Sequence, residues 1–419
     1  MNLGILGRVP RSYVPSLTTK TRPRYAVGAN PLRVVDLFAG CGGLTLGIQQ
    51  AAIAAGLAME VPLAIDFEVA ATGVYKANFP FANVITDSVE AYFDGDLGSP
   101  LTETEVGVRE KHPTVHLLVG GPPCQGHSNL NNKTRRKDPK NLLYARMGRA
   151  AEVLVPAIVL IENVPTVRLD TDQVVQTTVR HLELLGYEVA TDTIALRTLG
   201  VAQTRKRHVL LASRVPSISP GEILAALSVR EAEPGHDLRW AIGDLATLAE
   251  TDRLGYDVPP VPSQDNIERM HYLLDNNLFD LPNEMRPVCH QNAHSYKSMY
   301  GRLRWSEPAQ TLTSGFGSIG QGRYMHPDLP RALTAHEAAR IQGFPDYFSF
   351  ASVNKRGDMS VMIGNAVPPA LTRSIVALLI PDLAIEGFKD SRASTTSQRA
   401  RATVAAEPDL EIQDFNLAS

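Results

Sequence analysis

Cysteine is scarce in this chain: three in 419 residues. Cys41, Cys124 and Cys289 are too few and too scattered for a disulfide framework, and a reducing compartment suits them. No apolar run approaches the ~20 residues that a membrane helix needs, so no membrane partner is expected. The first residues include Arg8 and Arg11 but no apolar signal core, and a cytoplasmic location is the expectation. A dominant charge is missing too. Lys and Arg number 41 against 44 Asp and Glu, so a polyanionic partner would have to be met by local patches.

What the chain does have is one stiff turn. Residues 114–119, TVHLLV, make an apolar run of strand length, and Gly120, Gly121, Pro122 and Pro123 end it abruptly. The prolines fix φ and remove two donors, so the thiol of Cys124 beyond them is aimed. Ligands of open α/β sheets bind just past the carboxyl ends of the strands, where this cysteine falls. Alone, Pro-Cys reads as a buried structural cysteine; its neighbours change that reading.

Residues 1–31 read as a flexible arm. From 32 to 213 buried strands alternate with helices: LRVVDLF at 32–38, PLAIDF at 62–67, a short strand reaching Asp87, the strand before Cys124, AIVLIENV at 157–164, and a last strand at 207–212. That alternation predicts an α/β fold with a doubly wound, mostly parallel, Rossmann-like sheet. Residues 215–328, proline-rich and irregular, predict a second, smaller domain, and residues 32–214 and 329–387 form the main one. Thr334 and Glu337 form a capping box at a helix start. Gly364, Asn365 and Pro368-Pro369 open a last apolar helix to about residue 380, and residues 388–419 read as a disordered tail.

The chemistry gathers at the strand ends. The first glycine turn, Gly40-x-Gly42-Gly43, puts Thr45 where a nicotinamide site wants its third glycine, which disfavours an oxidoreductase. It suits close backbone approach to a ligand without pyrophosphate. Asp66, one strand on, is placed for a ribose diol; Phe67 suits stacking on adenine, and Asp87 suits accepting from its amino group. Each has a plain alternative as a strand-end carboxylate, core ring or turn residue, but together they point to an adenosine ligand. Glu162 ends an apolar strand, where poor solvation keeps a carboxyl protonated near neutrality. A thiolate adding to C6 of cytosine, with an acid at N3, would turn C5 into an enamine able to take a methyl group. Arg205 and Arg207, on one side of an extended segment, supply positive charge. Residues 133–140, KTRRKDPK, are a basic loop suited to phosphates and to closing over substrate. Cys289, His290 and His294 lack a fourth ligand at metal spacing, so no metal is expected. Tyr296, Lys297, Tyr300, Arg302, Arg304 and Trp305 mix basic and aromatic residues as a nucleic-acid face does, though core packing explains the aromatics equally well.

With these residues in view, the chain resembles the DNA cytosine-C5 methyltransferases over most of residues 32–213 and 305–380. The motifs fall in family order: DLFAGCGGL at 36–44, IDFE at 65–68, GGPPCQG at 120–126, ENV at 162–164, QTRKR at 203–207, residues 331–345, and GNAVP at 364–368. The resemblance implies S-adenosylmethionine as methyl donor, held around Phe38, Gly40, Gly43, Leu44, Asp66, Phe67 and Asp87, with Pro123, Asn365 and Ala366 completing the pocket as the C-terminal helix folds back. It implies Cys124 as nucleophile, Glu162 as the acid at N3, Arg205 and Arg207 as groups orienting a flipped base, and residues 215–328 as a target-recognition domain. Double-stranded DNA is the implied partner, in a bacterial modification or restriction-modification system that can include a cognate endonuclease, and a monomer is expected. An RNA cytosine-5 methyltransferase and a catalytically silent DNA-binding regulator are the rival readings.

Overall fold

A computed structural model describes residues 16–24, 28, 30–123, 143–170, 173–232, 235–248, 254–291, 298–353 and 355–385. Seven strands form one sheet: β1 (Leu32–Leu37), β2 (Met59–Asp66), β3 (Val84–Thr86), β4 (Leu117–Gly120), β5 (Ile158–Asn163), β6 (Glu188–Ala195) and β7 (Lys206–Ser213). Their spatial order is β3-β2-β1-β4-β5-β7-β6. The first five are mutually parallel, as the alternating sequence predicts. β7 is antiparallel to both β5 and β6. Only residues 196–205 separate β6 from β7, too few for the crossover that a parallel pair requires.

The central strands β4 and β5 read as apolar runs because both faces of the sheet are covered there. Ile158 and Leu160 face one core while Val159 and Ile161 face the other. On the first side lie α1 (Gly43–Ala54) and α11 (Ala370–Ile385), packed on each other. Their approach is so close that a methyl group on Gly47 would stand 2.0 Å from the carbonyl oxygen of Pro369, and one on Gly43 would stand 2.2 Å from that of Val367. The Thr372 hydroxyl donates to the Leu44 carbonyl at 2.7 Å and ties the same two helices. The Gly47→Ala variant is therefore expected to lose about 1–3 kcal/mol by overpacking. Thermal unfolding checks this, and an unchanged Tm would mean that the helices separate without cost. On the second side lie α3 (Glu103–Lys111), α4 (Leu143–Leu154) and α5 (Val174–Leu184).

Helix α10 (Arg356–Asn365) was not foreseen, and it changes the reading of the Gly364-Asn365 stretch. Asn365 closes α10 instead of opening the last helix, and Pro368-Pro369 precede α11. The capping box is present at α9 (Ala335–Ile341), where Thr334 Oγ1 accepts from the Glu337 amide. No single helix among the described residues is long and apolar enough to cross a membrane.

The main core does not stop at residue 215. Ile218, Ile223, Leu227, Leu238, Ile242 and Leu245, from α6 (Pro220–Ser228), α7 (Leu238–Ile242) and their neighbours, are buried in it. A separate cluster of Met270, Leu273, Leu281, Tyr300, Ile319, Met325 and Ala332 gathers around α8 (Gln264–Asp275).

A buried ionic knot holds α9 to this region. The His336 imidazole lies 2.8 Å from Asp346 and 3.7 Å from Asp257, and Arg340 bonds Asp346 and Asp244. The Tyr256 ring stands edge-on to His336. Burial lowers the His336 pKa, but the two carboxylates outweigh it and the net shift is upward. A raised folded pKa means stabilisation that is complete below the unfolded value of about 6.5 and fades as pH climbs through the folded value. The His336→Asn protein should lack that part of the decline in Tm above about pH 6.5. Identical Tm–pH curves for the two proteins would remove the imidazolium from this account.

Candidate active site

Parallel strands end on one edge, so Leu37, Gly120 and Asn163 finish β1, β4 and β5 side by side. Antiparallel β7 begins at that edge and brings its first residues back beside the end of β5, with Glu162 opposite Val209. Arg207, two residues earlier, reaches Glu162: its Nε lies 2.5 Å from Oε1 in an ion pair. Both side chains are buried. Burial raises the Glu162 pKa, opposed by the charges of Arg207 and Arg205, and the net direction is upward. The site thus holds a carboxyl inclined to keep its proton beside a guanidinium that moderates this.

The turn before Cys124 is fixed to that carboxyl. Asn163 Nδ2 donates to the Pro122 carbonyl at 3.1 Å. A methyl on Gly121 would stand 3.2 Å from Glu162 Oε2, so the chain passes close over the acid where only a hydrogen projects. Pro123 is half-buried at the end of this turn. Cys124 itself, and the basic loop at 133–140, lie outside the described residues. Among the described residues the free thiol is Cys41, which is buried, and burial pushes it up to about 12, which makes it inert.

Arg205 is 2% exposed and donates to the carbonyls of Leu312 at 2.7 Å and Gly364 at 3.2 Å. It therefore ties β7 to both later segments as well as lending its charge to Glu162. Gln203 does the same kind of work beside it. Its amide nitrogen donates to Gln342 Oε1 at 2.7 Å and its oxygen accepts from the Leu312 amide at 3.2 Å. A part for Gln203 had not been read from sequence; a glutamine among basic residues gives no local sign of burial. Tyr144 was missed as well. Its hydroxyl is buried with no hydrogen-bond partner among the described residues, and burial, then the Glu162 charge, push its pKa up.

The adenosine-site residues fall on the neighbouring strand ends. Asp66 Oδ2 accepts from the Gly40 amide at 2.8 Å and Oδ1 from the Glu68 amide at 2.9 Å. Phe38, at the end of β1, takes the left-handed conformation with φ 55°, and Gly40 follows with φ 54°. A methyl on Gly40 would meet nothing within 4 Å, so the backbone there borders open space. Phe67 is 58% exposed and Asp87 is exposed, with the Asp87 amide bonded to the Asp66 carbonyl at 3.1 Å. An open glycine turn, an exposed ring and the exposed carboxylate of Asp87, whose Oδ1 accepts from the Ser88 amide at 2.7 Å, fit a nucleoside. Gly43 and Leu44 are buried, their backbone against the segment before α11; Ala366 is buried nearby and Asn365 is exposed. Under the turn sits the first residue of the DLFAGCGGL motif. Asp36 is wholly buried, accepts from the Thr45 hydroxyl at 2.7 Å, and burial pushes its pKa up to about 8.

His294 and the Cys289 side chain lie outside the described residues, and no group of three or more potential metal ligands occurs among those described.

A family model, C-5 cytosine-specific DNA methylase, matches residues 32–380. The chain is 42% identical over 360 residues to the Type II methyltransferase M1.BsuMI of Bacillus subtilis (strain 168), covering 85% of this chain and 82% of that one. It is 32% identical over 353 residues to the Type II methylase M.HgiDII of Herpetosiphon aurantiacus, covering 82% and 93%. Among solved structures, a putative DNA modification methyltransferase encoded within an Escherichia coli prophage aligns with TM-score 0.56 at 21% identity, over 84% of this chain and 99% of that one. The Dnmt2 methyltransferase of S. pombe aligns with TM-score 0.55 at 17% identity, over 86% and 100%. These structures share the fold.

Proposed function

This chain belongs to the C-5 cytosine-specific DNA methylase family, and from that premise we propose that it methylates C5 of a flipped cytosine within a specific duplex sequence. The methyl donor in this reading is S-adenosylmethionine, and the setting is a bacterial modification or restriction-modification system. The observation that carries the reading is the buried Glu162 carboxyl, with Gly121 of the cysteine turn passing close over it and Pro122 tied to the neighbouring Asn163.

Cys124 would add to C6 of the base while Glu162 protonates N3, which places electron density on C5. Once C5 carries the methyl group, loss of its proton to water expels the Cys124 thiolate from C6, and N3 gives its proton back to Glu162. The Arg207 contact would keep the carboxyl oriented, its charge opposing but not cancelling the upward shift that burial gives Glu162. Extruding the base costs a few kcal/mol, which contacts in the pocket and to phosphates offset. Asp66, Phe67 and Asp87 would hold the adenosine of the donor, and Gly40 would allow its close approach. S-adenosylmethionine supplies the electrophilic methyl group. The region around the second buried cluster is the recognition module in this scheme, and the site it reads sets the specificity.

Bisulfite sequencing of DNA from cells expressing the protein tests reaction and target together. Protected cytosines confined to one short sequence are expected. Uniform conversion of the DNA, with methyl transfer to tRNA instead, would overturn the choice of substrate.

A further inference from the structure

A cleft of about 310 Å³ opens between α7 and residues 302–306, with Phe279 and Asp328 in its lining. Its wall is built by backbone: the amides of Leu238 and Arg239 donate to the carbonyls of Glu307 and Trp305 at 3.0 and 3.1 Å. Its aromatic surfaces are covered. The Arg239 guanidinium lies over the Trp305 ring, 5.0 Å from its centroid, and the Arg304 guanidinium lies 3.6 Å from that of Phe279. A stacked guanidinium keeps its in-plane N–H donors free while its orientation is fixed, which is the geometry that grips phosphate oxygens.

The lining carries three guanidinia, Arg239, Arg302 and Arg304, against two carboxylates, Asp237 and Asp328, and Arg302 lies 4.0 Å from Asp328. Asp328 accepts from Trp305 Nε1 at 2.8 Å, and Asp237 accepts from the Trp240 amide at 3.0 Å. Glu307 approaches Arg304 at 3.5 Å, but both side chains are well exposed, so that pair is weak and exchangeable. Arg239 is exposed and has no carboxylate partner among the described residues. Because guanidinia cover the ring faces, the cleft offers charge to a ligand and little surface on which a base could stack.

We infer that this cleft seats a backbone phosphate of duplex DNA, gripped by Arg239 and Arg304, and contributes affinity that is independent of base sequence. The inference names a second contact for the substrate of the proposed function and rests on that reading for the choice of duplex DNA. In a chain of net charge −3 such a built contact does what overall charge cannot.

The test uses the full chain with two 30-base-pair duplexes, one containing the sequence found by bisulfite sequencing and one scrambled. Affinity is measured by fluorescence anisotropy from 0.05 to 0.3 M KCl. One lost phosphate contact should flatten the slope of log affinity against log salt by about 0.9, equivalent to roughly eightfold at 0.1 M. Arg239→Gln should do this equally on both duplexes, Arg239→Gln with Arg304→Gln should do it about twice over, and Arg239→Lys should largely restore the slope. Unchanged slopes in folded variants, a loss confined to one duplex, or tighter binding of an RNA hairpin than of either duplex would each overturn the inference. Methyl transfer by the unaltered protein is assayed alongside. Its absence would count against the proposed function, while the salt slopes still judge the cleft.

Discussion

Replacing the nucleophile, Cys124→Ser, is expected to leave binding of donor and duplex intact while lowering methyl transfer by roughly 10⁴-fold or more, the scale on which a lost nucleophile is felt. A hydroxyl at this position ionises far less readily than a thiol, and oxygen adds poorly to an electron-poor ring. The stiffness of the turn supports the expectation that binding survives. Asn163 fixes the Pro122 carbonyl and Gly121 passes over Glu162 whatever side chain follows. Single-turnover assays with a tritiated methyl donor, together with equilibrium binding, separate the two quantities. Appreciable turnover by the serine protein would dismiss the covalent adduct.

Glu162→Gln should come next, with a loss of about 10²–10⁴ in kcat, the usual worth of a positioned acid. The amide preserves shape and can still contact Arg207, but it has no acidic proton to give to N3. The pH dependence supplies a sharper criterion. The raised pKa of Glu162 means that the unaltered enzyme keeps the acidic form upward from the ordinary carboxylate range and loses it as pH passes the shifted value. The glutamine protein should lack that limb of the kcat profile. If the limb remained, another group would have to be the acid.

Much of this site was legible because strand ends announce themselves. An apolar run closing in Asp, Glu or a glycine-proline turn marks the end of a buried strand, and the structure does end β2, β5 and β4 at or beside Asp66, Glu162 and Gly120. The capping box at Thr334 was equally local and is present in the structure. What escaped was non-local. Nothing adjacent to Arg205 signals that its guanidinium spans to Leu312 and Gly364, more than a hundred residues later in the chain. The continuation of the main core past residue 215 was hidden by prolines, although Ile223, Leu224 and Leu227 occupy one face of a short helix against β6. β7 read as one more strand in the series, and its reversed direction follows from the length of its connection to β6.

That reversed strand has a consequence for how the protein comes to life on the ribosome. Arg205 reaches its acceptors only when residues 312 and 364 have been made, and α1 meets its packing partner only in the final helix. The contacts that complete this side of the sheet are therefore supplied by segments synthesised well after the strands they close, so the strands and their cover reach the ribosome exit at different times.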